Sequence, residues 1–128
     1  MSRKRVSSGG PFEEGGGYSR AIAVGDMCHV SGTTDAGPGG GSLHPGDVAA
    51  QARAVFAIIE GALTEAGFTL DDVVRTRMYI TNAADAEVLM ELHGEIFRHV
   101  RPAATLVVVA GLIRPSLLVE IELTAQRG

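Results

Sequence analysis

Between Asp47 and Gly67 the apolar residues Val48, Ala52, Val55, Ile59, Leu63 and Ala66 recur at steps of three and four, the period that lines one face of an α-helix. Gly67 stands where such a helix would stop. Just beyond Asp71-Asp72 the period changes to two: Val73 to Thr81 alternates, with Val74, Met78 and Ile80 on one face and Arg75, Arg77 and Tyr79 on the other. A helix with one apolar stripe and a strand with one apolar face must bury those surfaces together, so a helix-covered sheet is the architecture to expect.

The rest of the chain extends this pattern. Ala21 to Val24 and Met27 to Ser31 are short extended runs separated by Gly25-Asp26, the two-residue spacing of a β-hairpin. Asn82 is placed to cap a second helix whose stripe is Leu89, Leu92, Ile96, Phe97 and Val100, with Pro102 just past its end. Thr105 to Ala110 is apolar at both phases, as in a strand covered on both sides, whereas Leu117 to Ala125 sets Val119, Ile121 and Leu123 against Leu118, Glu120 and Glu122. The order β-β-α-β-α-β-β predicts an α+β sandwich with both helices on the apolar face of the sheet.

With 128 residues, 45% of them apolar, one domain can bury its own core. Residues 15–128 are assigned to it, and residues 1–14 to a flexible tail. The basic start leads into no apolar run, so neither a signal peptide nor a membrane anchor is expected. Asp35 to Ser42 is rich enough in glycine to predict a mobile loop. Neither it nor Gly15-Gly16-Gly17 ends in Gly-Lys-Ser/Thr, which speaks against a phosphate-cradling loop. A net charge of −4 with scattered Lys and Arg lacks the electrostatic footprint of a nucleic-acid or membrane partner. The single cysteine, Cys28, excludes an intramolecular disulfide and fits a reducing, cytoplasmic setting; it is expected to be an inert, inward-facing hydrophobe.

The alternation places Met27, His29, Ser31, Arg75, Arg77, Tyr79, Glu120 and Glu122 on the sheet face away from the helices. Glu120 and Glu122, two residues apart on one strand, would project their carboxylates from the same side roughly 7 Å apart. Such a pair can do acid and base work. The commoner alternative is a cross-strand ladder in which Arg75 and Arg77 neutralise them. His29 and Ser31 lack the Gly-x-Ser-x-Gly turn of a serine hydrolase. His93 lies on or beside the apolar stripe of the second helix and reads as a hydrogen-bonded packing residue. His99, six residues on, does not share a metal-binding spacing with it, so no metal site is expected.

Three segments together resemble the RidA (YjgF) family: Tyr18-Ser-Arg-Ala21 leading to Val30-Ser-Gly-Thr33, Val73-Val-Arg-Thr-Arg-Met-Tyr79, and Arg101-Pro-Ala103 leading to Val119-Glu-Ile-Glu122. The resemblance spans nearly the whole chain and includes Asp47-Val-Ala-Ala-Gln-Ala-Arg53. It implies a chorismate-mutase-like α+β sandwich, a mixed sheet with two helices on one face, assembled as a homotrimer with ligand clefts between subunits. Active members hydrolyse reactive imines and enamines to a 2-oxo acid and ammonia without a cofactor. The resemblance puts Tyr18, Ser31, Gly32 and Glu120 at cleft positions, with Glu120 handling the attacking water.

The resemblance fails at one important place. Where the active branch reads Pro-Ala-Arg-Ser/Thr, with the arginine gripping a substrate carboxylate, this chain has Pro102-Ala103-Ala104-Thr105. Arg101 precedes the proline and is no substitute. Met90 and Leu106 stand where some members have a cleft asparagine and cysteine. Losing a charge-assisted bond of about 1.5–3 kcal/mol argues against efficient turnover of 2-iminobutanoate or 2-iminopropanoate. Two readings follow. One is a small hydrolase or deaminase with Glu120 as acid/base, Ser31, Gly32 and Tyr18 positioning, Arg20 or Arg77 holding any acidic group, and Ala104 and Thr105 completing the cleft. The other is a non-catalytic trimer that senses a metabolite, such as a 2-oxo or 2-imino acid, or binds another protein.

Overall fold

Strands β1 (Arg3–Val6), β2 (Ala21–Val24), β3 (Met27–Thr33), β4 (Val73–Ile80), β5 (Ala103–Val108) and β6 (Val119–Gln126) form one sheet. Their order is β1-β2-β3-β6-β4-β5 in a computed structural model that describes residues 2–128. Only β4 and β5 run parallel; every other pairing is antiparallel, so the sheet is mixed. Helices α2 (Val48–Ala66) and α3 (Ala86–Phe97) supply the covering layer, and a one-turn helix α1 (Glu13–Gly16) lies in the connection between β1 and β2. The fold is the expected α+β sandwich.

Local chemistry explains the element ends. The Asp47 carboxylate accepts from the Ala50 amide at the start of α2, and Gly67 ends the helix at φ 91°, a left-handed conformation in which glycine carries no Cβ penalty. Asn82 accepts from the Ala84 amide and so caps the short 3₁₀ turn Ala83–Asp85 that leads into α3, rather than α3 itself. The helical stripe is buried as expected: Ala52, Val55, Ile59 and Leu63 are inaccessible and pack against Cys28, Met78, Ile80, Val119 and Ile121 of the sheet. Each such large aliphatic side chain stabilises the fold by about 1.5–3 kcal/mol. Phe56 and Phe97 join the two helices edge to face, their ring centroids 5.9 Å apart.

Four local expectations need correction. The N-terminal segment assigned to a flexible tail is ordered from Arg3 on: Arg3–Val6 pairs with β2, and Ser7, Ser8 and Gly10 all hydrogen-bond the Glu13 carboxylate. The alternation of β4 breaks at a register shift between Val73 and Arg75, which leaves Val74 exposed and buries Val73 instead, while Thr76, Met78 and Ile80 keep the inward phase. β5 is an uncovered edge strand rather than a strand buried on both faces, with Val107 and Val108 exposed in the chain. The Gly-rich loop folds back on itself: the Gly37 amide donates to the Gly41 carbonyl at 2.8 Å and Ala36 bridges Ser42.

Candidate functional site

Val119, Ile121 and Leu123 of β6 face the helices, so Glu120 and Glu122 leave the opposite side of the sheet. The neighbouring β3 meets β6 out of step. Val30 pairs with Leu123 and Thr33 with Ile121, which gives β3 one residue more than its partner over this stretch and bulges Ser31-Gly32. The bulge brings Gly32 against the Glu120 side chain so closely that a Cβ there would overlap the carboxylate. Glycine at this position is a steric requirement of the site.

Glu120 lies in an open cleft of about 660 Å³. One wall comes from the segment around α1, with Pro11, Phe12, Gly15, Gly16 and Tyr18; the others are Ser31, Gly32, Thr34, Glu120 and Ile113. Burial, reinforced by the charge of Glu122, raises the Glu120 pKa above the ordinary carboxylate value, and the Arg20 guanidinium works in the opposite direction. No ion pair to Glu120 forms among the described residues. The expected ladder is also missing: Arg75 donates to Thr105 Oγ1 at 2.6 Å, and Glu122 accepts from the Tyr79 hydroxyl, whose pKa is raised first by that bond and then by burial. What remains is a carboxyl without a counter-ion, beside rings and a hydroxyl, able to exchange a proton with a bound molecule.

The residues singled out from the sequence divide into three groups. Tyr18, Ser31, Gly32 and Glu120 come together in the cleft. The Ser31 hydroxyl donates to the Ser19 carbonyl at 2.6 Å, an arrangement that positions the β3 bulge and leaves no activating base on the oxygen. Arg20 is adjacent but not free to grip a substrate: it is 6% exposed, and its donors reach Gly32 O at 2.7 Å, Thr33 Oγ1 at 3.0 Å, Ser8 Oγ at 3.2 Å and the Glu13 carboxylate at 3.4 Å. The fold, and not the cleft, therefore takes up these donors. Arg77, Ala104 and Thr105 lie on β4 and β5, outside the walls of the cleft. Ala104 pairs with Thr76 on the helix-side face, whereas Thr105 shares the opposite face with Arg77 and Glu122.

Two further assignments come out as expected. His93 Nε2 hydrogen-bonds Thr76 Oγ1 at 2.9 Å inside the core, where burial depresses its pKa. Cys28 is fully buried and burial raises its pKa. Sequence reasoning missed Phe12 and Ile113 as cleft walls and Glu13 as the buried partner of Arg20. It also missed Gln51, whose amide binds the carbonyls of His44 and Ser116 and accepts from the Leu118 amide. Gln51 did leave a signal: it is a polar residue three positions after Val48 and four before Val55, within the apolar stripe.

Comparison with known proteins converges on one family. The family model described as Endoribonuclease L-PSP matches residues 12–127. The chain is 39% identical over 125 residues to the uncharacterized protein SCO2049 of Streptomyces coelicolor, covering 98% of this chain and 92% of that protein. It is 34% identical over 104 residues to the 3-aminoacrylate deaminase RutC of Acinetobacter baylyi, covering 81% and 82% of the two chains. The crystal structure of Rv2704 from Mycobacterium tuberculosis, described as a member of the YjgF/YER057c/UK114 family, superposes with a TM-score of 0.88 at 46% identity, covering 98% of this chain and all of that one. A match this complete in sequence and fold, with Tyr18, Ser31, Gly32 and Glu120 gathered in one cleft, places the chain in the RidA/YjgF/UK114 family.

Proposed function

We propose that this protein is a cofactor-free hydrolase that adds water to the C=N bond of a small metabolite, in clefts that neighbouring subunits of a homotrimer complete. The observation that carries the reading is the unpaired, partly buried Glu120 carboxyl with a raised pKa on the wall of an accessible cleft. A glutamate that merely neutralised its surroundings would be paired, and perturbed carboxyls in clefts are candidates for proton transfer. The likeness to a 3-aminoacrylate deaminase supports the reaction class. The cleft walls carry no Lys or Arg to hold a phosphate chain, which favours a small molecule over RNA.

In this reading Glu120 takes a proton from water as the water oxygen bonds to the imine carbon, and the nitrogen is protonated. On collapse of the adduct the C–N bond breaks, a second proton passes from oxygen to nitrogen, and imine plus water has become carbonyl plus ammonia. No arginine lines the cleft, so the three- and four-carbon 2-imino acids find no carboxylate clamp there and are poor substrates.

The test is Glu120→Gln, assayed for ammonia release from imines generated in situ by an amino-acid oxidase, with 2-iminobutanoate from a dehydratase for comparison. The substitution is expected to lower turnover about 10²–10⁴-fold, the usual contribution of a general acid–base. The native rate should rise with pH as Glu120 ionises, with the midpoint above the ordinary value of 4.5, and the variant should lack that limb. Stability should move the other way. A carboxyl whose folded pKa is raised contributes stability that is complete below the unfolded value and lost as pH climbs through the folded one, so Glu120→Gln should be the more stable protein at neutral pH. Equal ammonia release by both proteins would favour a non-catalytic, metabolite-binding trimer.

The sheet edge supports the assembly. β5 has no partner on one side, and Val74, Val107 and Val108 are exposed beside it, a surface that association would cover. Light scattering is expected to give about three times the chain mass of 13.3 kDa. A monomer at micromolar concentration would remove the shared-cleft part of the proposal.

A further inference from the structure

We propose that Arg114 anchors the ligand's carboxylate, and that the ligand is therefore an acid whose carboxylate lies several carbons from its carbonyl or imine carbon. This rests on the reading of the Glu120 cleft given above. Phe12 and Ile113 are walls of that cleft. Arg114 follows Ile113 directly, and its guanidinium carbon stands 5.3 Å from the centroid of the Phe12 ring, within the range of a cation–π contact. A Cβ on Gly40 would come within 3.2 Å of Arg114 Nε and 2.9 Å of Phe12 Cζ, so the Gly40 backbone packs against both partners of this contact. Gly40 has φ 90°, a conformation that favours glycine on its own account.

The loop that carries Gly40 is tied down. The Ser42 amide donates to Ser116 Oγ at 2.9 Å, two residues beyond Arg114, and the Ser42 hydroxyl donates to the buried Asp35 at 2.7 Å. Three segments far apart in the chain thus converge on one cation. Its own bonding is sparse. The one hydrogen bond of the guanidinium goes from Nη1 to the Ile113 carbonyl at 3.0 Å, and no carboxylate pairs with it among the described residues. Arg20 and Arg127, by contrast, spend their donors on backbone carbonyls and acidic partners.

A stacked, pre-positioned guanidinium with free donors suits a planar carboxylate. Arg114 is not itself part of the cleft wall and adjoins the cleft through Phe12 and Ile113. A ligand that touches both Glu120 and Arg114 therefore carries an apolar body against those two side chains. Such a ligand is longer than pyruvate, whose carboxylate adjoins the reactive carbon.

The test is calorimetric titration of 5-oxohexanoate, its methyl ester and pyruvate into the native protein, Arg114→Ala and Arg53→Ala. The last removes an exposed arginine paired with Glu95 and serves as the charge control. In the native protein 5-oxohexanoate is expected to bind roughly ten- to a hundred-fold more tightly than its ester, the effect of one charge-assisted bond, and more tightly than pyruvate. Arg114→Ala should abolish the difference between acid and ester without weakening the ester, while Arg53→Ala should preserve it. An acid preference that survives in Arg114→Ala overturns the anchor and leaves the cleft reading intact, because the ester still binds. If neither acid nor ester binds the native protein, the anchor and the cleft reading both fail.

Discussion

Replacing Arg20 with alanine is expected to cost the fold about 3–5 kcal/mol, because it breaks a buried ion pair and leaves its partner uncompensated. Glu13 is 5% exposed and keeps its bonds from Ser7, Ser8 and Gly10, but without the guanidinium it is a buried carboxylate with no cation. Burial alone would raise the Glu13 pKa; the hydrogen bonds from Ser8, Ser7 and Gly10 outweigh it and lower it. The Gly32 carbonyl and the Thr33 hydroxyl lose their donor in the same step. For a chain of this length the loss corresponds to a fall in Tm of roughly 10–20 °C. Thermal denaturation followed by circular dichroism reads it directly. If Arg20→Ala instead melts like the native protein but no longer binds ligand, the side chain belongs to the substrate after all, and its buried bonds are incidental.

Gly32→Ala is expected to separate chemistry from folding. The added methyl group meets the end of the Glu120 side chain rather than backbone, so the carboxylate can swing aside while β3 and β6 stay paired. The stability loss should therefore stay within about 1–3 kcal/mol, the range of a tolerated overpacking. Turnover should suffer far more, because displacing a catalytic group by an ångström or so costs about 10²-fold. Melting and ammonia release measured side by side on Gly32→Ala and Glu120→Gln make the comparison. A Gly32→Ala protein with native turnover would show that the carboxylate position seen beside Gly32 is not the working one. An unfolded Gly32→Ala protein would show that the bulge holds the strand pair together.

These two residues show what a chain pattern can and cannot report. Gly32 and Arg20 both lie within the segment that carries the family resemblance; the resemblance places Gly32 at the cleft, and Arg20 enters as a cation to hold any acidic group. Only one of them lines the cleft. The direction of the Arg20 side chain depends on Glu13, Ser8 and the Gly32 carbonyl, groups brought to it by the return of the chain from β1 through α1. Residues 1–14, rich in Ser and Gly, have no apolar periodicity that would show this return. From Arg3 on, the order of this segment comes from pairing with β2 and from hydrogen bonds to one buried carboxylate, which the local pattern does not contain.

The sequence by itself determined the sandwich: the stripe from Val48 to Ala66, the alternation of Val119, Ile121 and Leu123, and the turn at Gly25-Asp26 each follow from local periodicity, which the backbone geometry of helix and strand imposes on neighbours. It also determined that Glu120 and Glu122 share a face, since residues two apart in a strand have no other choice. Which of the two is left unpaired beside the cleft was decided by the tertiary structure. Glu122 is bound by Tyr79 across the strand pair, whereas Glu120 lies against the β3 bulge, unpaired and partly buried. The same holds for the arginines: Arg20 is consumed by the core and Arg75 by Thr105, while Arg114, in a loop with no periodicity at all, is set against Phe12 and Gly40. Pairing, burial and stacking depend on segments dozens of residues apart, and a pattern of period two or 3.6 contains no information about which distant segment arrives.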